Sequence, residues 1–133
     1  MPDRLKNKRV LVTQCGDYMG PAIAQLFAQE GALVDARPGI VPAAGGFAEY
    51  VSQNVEIDIL VANLAHAPCN SPTADIQDAD WEGMFDTMVH PLMRLIRHFA
   101  PLMAERGHGK IVAITSAAPL RGLPGSAAYC AAR

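Results

Sequence analysis

Four short runs punctuate the chain: RVLVT (Arg9 to Thr13), ALVDAR (Ala32 to Arg37), IDILVAN (Ile57 to Asn63) and KIVAITS (Lys110 to Ser116). The first and third are nearly all apolar, as expected of parallel strands buried on both faces. Helical stretches separate them. Gly20-Pro21 opens the first, with proline suited to the first helical position; Ile23, Leu26 and Phe27 follow at helical spacing and Gly31 ends it. From Pro38 to Asn54 the chain is rich in Pro and Gly and then weakly helical in FAEYVSQN. The spacing predicts a long helix from about Trp81 to Arg106, kinked at Pro91. Its apolar stripe holds Trp81, Met84, Phe85, Met88, Leu92, Leu95, Ile96, Phe99 and Met103. Gly107 to Gly109 turn into the fourth strand, and SAAYCAAR begins another helix. Strands alternating with helices predict an α/β fold with a doubly wound parallel sheet.

With 133 residues, 50% of them hydrophobic and 18% charged, the chain has the balance of a single globular domain. A formal net charge of -2, with Lys and Arg scattered, offers no basic field and argues against nucleic acid as a partner. The apolar runs fall short of the roughly 20 residues of a membrane span, and MPDRLKNKRV lacks a signal-peptide core, so a cytoplasmic protein with no membrane partner is expected. Cys15, Cys69 and Cys130 read as free thiols, and His66, His90, His98 and His108 show no metal-ligand spacing. No metal is therefore expected. Asp75, Asp78 and Asp80 read as capping and dipole-complementing residues at a helix start. The chain stops within its last helix, whereas a parallel sheet is normally covered on both faces. The expectation is a single domain over 1–133, incomplete at its carboxyl end, from a protein of roughly 200 to 250 residues.

Strand, glycine turn, helix, strand, LVAN, long helix, KIVAITS, and then Tyr129 thirteen residues after Ser116: along nearly its whole length the chain resembles the short-chain dehydrogenase/reductase superfamily, which has a Rossmann-like fold. Four departures qualify the likeness. That family's phosphate loop reads T-G-x-x-x-G-x-G; Thr13 and Gly20 match, but Gln14 and Tyr18 replace the first two glycines, and Gly16 is out of register. Glycine lets the backbone approach a pyrophosphate closely, and a phenol ring would fill that space. Only nineteen residues, Pro38 to Glu56, link the second strand to the third, too few for the helix, strand and helix that usually build the adenine pocket. Met88 stands where the family's catalytic tetrad has Asn. The Y-x-x-x-K motif appears as Tyr129 to Arg133, with arginine in place of lysine.

Together these changes resemble the halohydrin dehalogenases, whose B-type members carry sequences similar to DYMG (Asp17 to Gly20) and VHPL (Val89 to Leu92). The resemblance implies a Ser-Tyr-Arg triad and no nicotinamide cofactor. Ser116 would anchor the substrate oxygen and Tyr129 would remove its proton. Arg133 lies one helical turn on, and its fixed cation would favour phenolate. The alkoxide then attacks the neighbouring carbon and expels halide, giving an epoxide, and the reverse reaction opens epoxides with small anions. Tyr18 would fill the vacated phosphate slot and wall the pocket, joined by Leu64, His66, Pro68, Ala118 and Pro119. The halide cradle would lie beyond Arg133. A homotetramer through the long helix and the helix of Tyr129 is also implied. Two alternatives remain open. One is a divergent NAD(P)-dependent reductase, with Gly16 and Gly20 redeeming the loop and Arg37 receiving a 2′-phosphate. The other is a non-catalytic member of the fold.

Overall fold

Alternate residues of the apolar runs feed two separate cores, because successive side chains of a strand point to opposite faces. Leu11, Leu60 and Ala62 pack on one face against Tyr50, Leu95, Phe99 and Met103. Val10, Val12 and Val61 pack on the other against Ile23 and Phe27. The computed structural model describes residues 3–37, 44–53, 55–67 and 70–133. Its strands are β1 (Arg9–Thr13), β2 (Leu33–Arg37), β3 (Ile59–Ala62) and β4 (Lys110–Ala113), all parallel in the order β2-β1-β3-β4. Val10 pairs with Val34 and Ile59, and Val61 with Val112. α1 (Gly20–Gln29) covers the second face, while α2 (Ala44–Ser52) and α4 (His90–Arg106) cover the first. This is the α/β Rossmann-like sheet expected. Because β2 and β3 flank β1, the strand order reverses between β1 and β3, and the crevice at their carboxyl ends is where such sheets hold ligands.

The long helix differs from its expected form. It begins at α3 (Asp78–Met84), passes through a π-helical turn over Phe85–Val89 and continues as α4. Pro91 has no amide hydrogen for the ladder, and the irregular turn lies immediately before it. Met84, Met88, Leu95, Phe99 and Met103 are buried as the stripe predicts, but Trp81 and Ile96 are 41% and 39% exposed. Trp81 instead stacks on Phe85, with ring centroids 5.1 Å apart. The acidic cluster caps nothing: Gln77 is the N-cap without a side-chain bond, and Asp78 and Asp80 occupy the first turn, where only the dipole favours them. Gly107, at φ 72°, takes the left-handed conformation that closes α4. Among the described residues no helix is long and apolar enough to cross a membrane.

At the β2 edge, Arg37 Nε donates to Asp35 Oδ1 at 2.9 Å, and its guanidinium carbon lies 5.3 Å from the centre of the Tyr50 ring. Tyr50 is buried, and its hydroxyl has no hydrogen-bond partner among the described residues. Burial, reinforced by the Asp35 carboxylate, pushes this phenol up to about 12.

Two outcomes follow from this packing. A Cβ on Gly20 would fall 2.6 Å from Cys15 Cα and 2.7 Å from the Gln14 carbonyl oxygen, both backbone atoms. Gly20→Ala should therefore cost about 1–3 kcal/mol, read as a lower urea midpoint at unchanged slope. For Tyr50 the unfolded chain loses its phenolic proton near pH 10, while the native state keeps it to about 12. The native state binds more protons in that window, so stability present below pH 10 is lost as the pH rises through 12. Tyr50→Phe should flatten that alkaline limb, read as a urea midpoint that no longer falls between pH 10 and 12.

Candidate active site

Beyond their last paired residues, β1, β3 and β4 leave carbonyls and amides without ladder partners, and these groups must be met by other donors and acceptors. Four side chains do most of this. Asn63, 1% exposed, donates from Nδ2 to the carbonyls of Gln14 and Asp17, each at 3.0 Å. The Thr13 hydroxyl donates to the Asn63 carbonyl at 3.3 Å. Gln14 crosses in the other direction: its Nε2 donates to the Ala65 carbonyl at 3.0 Å, and the Ala65 amide donates to its Oε1 at 2.8 Å. Gln14 and Tyr18 hold left-handed backbone, at φ 46° and 52°, a region that glycine enters at least cost.

Arg133 ties β3 to β4. Its guanidinium donates to the carbonyls of Leu64, Ile114 at 3.0 Å and Thr115 at 3.2 Å. A planar fork can serve several acceptors at fixed angles, which a lysine ammonium cannot reproduce. The same group lies against Tyr129, one turn back on α5 (Ala127–Ala132), with Cζ 5.7 Å from the ring centre. Met88, buried in the π-helical turn, packs with Met84 and Ala128, and Tyr129 and Ala132 close over them. The position expected to carry the family's Asn is thus filled by core packing. Ser116 follows directly on the anchored Thr115, and its Oγ accepts the Ala118 amide at 3.1 Å. With Oγ occupied as an acceptor, the hydroxyl proton is left to donate.

The expected pocket residues fare differently. Leu64 directs its side chain into the main core, so its link to the site is the carbonyl held by Arg133. A cavity of about 30 Å³ there, lined by Leu64, Met88, Leu92 and Arg133 among others, is room for little more than a water molecule. His66 is half-buried, and its Nδ1–H donates to the Ala67 carbonyl at 2.7 Å. Ala118 is buried and Pro119 exposed, in the turn after Ser116. Pro68 lies outside the described residues. Tyr18 is 59% exposed, in the loop ahead of α1. Asn63 and the bridging role of Gln14 carried no signal in the sequence beyond an amide where a glycine was expected, because their partners are 46 to 51 residues apart.

Several features of the loop differ from a site for the dinucleotide that this fold commonly holds. A diphosphate needs loop amides turned toward it and open backbone. Here the amides of Asp17 and Gly20 donate within the loop, to the carbonyls of Gln14 and Asp17, and the Ala65 amide is taken by Gln14. Tyr18 and Met19 project from the mouth of α1, 59% and 53% exposed. Arg37, in place for a 2′-phosphate, is already paired with Asp35.

Comparison with known proteins agrees with the fold and bears on its family. The family model described as short chain dehydrogenase matches residues 44–133, a stretch holding Ser116, Tyr129 and Arg133 but not the loop of Gln14 and Tyr18. An uncharacterized oxidoreductase, YvrD, of Bacillus subtilis is 33% identical over 91% of this chain and 56% of its own length. That alignment runs over 147 residues against a chain of 133, so the relative carries residues with no counterpart here. Among solved structures, a short chain dehydrogenase/reductase family protein superposes with a TM-score of 0.85 and 32% identity, over 96% of this chain and 63% of that one. A protein titled dehalogenation enzyme gives 0.81 and 26%, over 96% and 62%. The chain thus spans about three fifths of the length of the proteins it matches. With the family's model matched over residues 44–133, a stretch that holds β3, β4, the serine three residues past β4 and the tyrosine of α5, the chain belongs to the short chain dehydrogenase family.

Proposed function

We propose that the protein is a cofactor-independent halohydrin dehalogenase, acting on vicinal haloalcohols through Ser116, Tyr129 and Arg133. The observation that carries this reading is the loop after β1. Gln14 and Tyr18 stand there in left-handed backbone, and the Gln14 amide spends itself on Ala65 rather than leaving the crevice open to a diphosphate. In this reading Ser116 donates to the hydroxyl oxygen of the substrate and Tyr129 takes its proton. Arg133, held by three carbonyls, keeps a positive charge beside the ring that favours the phenolate, which returns to phenol as it takes the substrate's proton. The alkoxide electron pair forms the new C–O bond while the adjacent carbon–halogen bond breaks, and the pair from that bond leaves with the halide. No hydride moves. The likeness to a dehalogenation enzyme supports the reading, and Tyr18, His66, Ala118 and Pro119 are its pocket candidates. Met93 and Ile96, exposed on α4, support assembly of copies through this helix.

A second reading is favoured by the relatives' names, which are mostly those of oxidoreductases and dehydrogenases. It keeps Ser116 and Tyr129 in the same proton-transfer roles, with NAD(P) supplying or accepting hydride when bound. Two measurements on the full-length protein separate the readings. The first predicts halide release from a vicinal haloalcohol without added nucleotide, abolished by Tyr129→Phe and reduced at least about a hundredfold by Ser116→Ala or Arg133→Lys. The second predicts enhancement of NADPH fluorescence at micromolar protein and nucleotide-dependent reduction of a carbonyl substrate. Absence of both activities would leave only a non-catalytic member of the fold.

A further inference from the structure

We propose that Gln14 is a specificity-determining residue, whose side-chain amide closes the β1/β3 crevice to a dinucleotide diphosphate and so reserves it for small substrates. The inference deepens the cofactor-free reading and rests on it. Thr13 ends β1, and Ala65 lies three residues beyond the end of β3. The reciprocal Gln14–Ala65 pair, at 2.8 and 3.0 Å, acts as a further rung thrown across the gap after the Val12–Val61 pairing. A carboxamide can do this because it carries a donor and an acceptor side by side, matching the amide and carbonyl of one residue.

The rung is not free to swing aside. The Gln14 carbonyl accepts from Asn63 Nδ2 at 3.0 Å and from the Asp17 amide at 3.2 Å, which fixes its backbone. Ala65 is 6% exposed, so removing the Gln14 side chain would leave a buried amide and carbonyl without partners. An incoming diphosphate could accept from the Ala65 amide but would face the negative dipole end of the Ala65 carbonyl, which has no proton to offer it. A small neutral haloalcohol faces neither cost.

The test compares the full chain carrying Tyr18→Gly with the same chain carrying Tyr18→Gly and Gln14→Gly, so that the exposed phenol does not mask the amide. Glycine suits the left-handed backbone at both positions. ADP-ribose binding is measured by calorimetry and NADPH binding by fluorescence, with far-UV circular dichroism reporting the fold. The expected result is no measurable binding by the parent chain or by Tyr18→Gly, and an affinity gain of at least about tenfold in the double variant. Should Gln14→Gly fail to fold, Gln14→Asn, too short to reach both Ala65 groups, takes its place in the pair. Equal binding by the single and double variants, or no binding by a folded double variant, overturns the role of Gln14 while leaving the dehalogenase reading standing. Tight NADPH binding by the parent chain overturns both.

Discussion

One buried carboxamide holds the site-bearing end of the sheet together. Asn63 leaves β3 and gives both its hydrogens to the loop that leaves β1, while its own carbonyl accepts from Thr13 at the end of that strand. Parallel strands lose their ladder where they part, and at that point every carbonyl needs another donor or exposure to water. Asn63 supplies the donors from within, so the loop of Gln14 to Tyr18 has a defined shape although it contains two non-glycine residues in left-handed backbone. A charged equivalent could not replace it: a carboxylate has no hydrogens to give, and an isolated buried cation would face a heavy desolvation cost.

Arg133 plays the matching part between β3 and β4, with a different consequence. Its three carbonyl acceptors belong to the residues just past the strand ends, so the cation is positioned by backbone rather than by a mobile counterion. Tyr129 lies one helical turn away, over the same group. Met88 seals the other side of the tyrosine with apolar packing where the wider family places an amide. The tyrosine ring is thus held between a cation fixed by backbone carbonyls and apolar packing.

The legibility of the fold varied with how local each cause was. β1 and the first helix were readable residue by residue, since RVLVT and Gly20-Pro21 carry their own strand and helix-start signals. The runs IDILVAN and KIVAITS, by contrast, are longer than the strands they form, because Asn63, Thr115 and Ser116 leave the ladder to bond loop groups and Arg133. Trp81 and Ile96 fall on the apolar stripe by count and yet stand exposed, since the stripe is wider than the face that the sheet and α5 cover.

By itself the sequence determined the alternation of buried strands and amphipathic helices, and hence a doubly wound parallel sheet. It also carried the resemblance that singles out Ser116, Tyr129 and Arg133, of which Tyr129 and Arg133 stand one helical turn apart. What the tertiary structure alone decided is how those residues are held: Gln14 on Ala65, Asn63 on Gln14 and Asp17, Arg133 on three carbonyls. Each of these bonds joins segments that are brought together only when β1, β3 and β4 align. Spacing along the chain can reveal a helix face or a strand end, but a hydrogen bond between residues dozens of positions apart exists only in the assembled sheet.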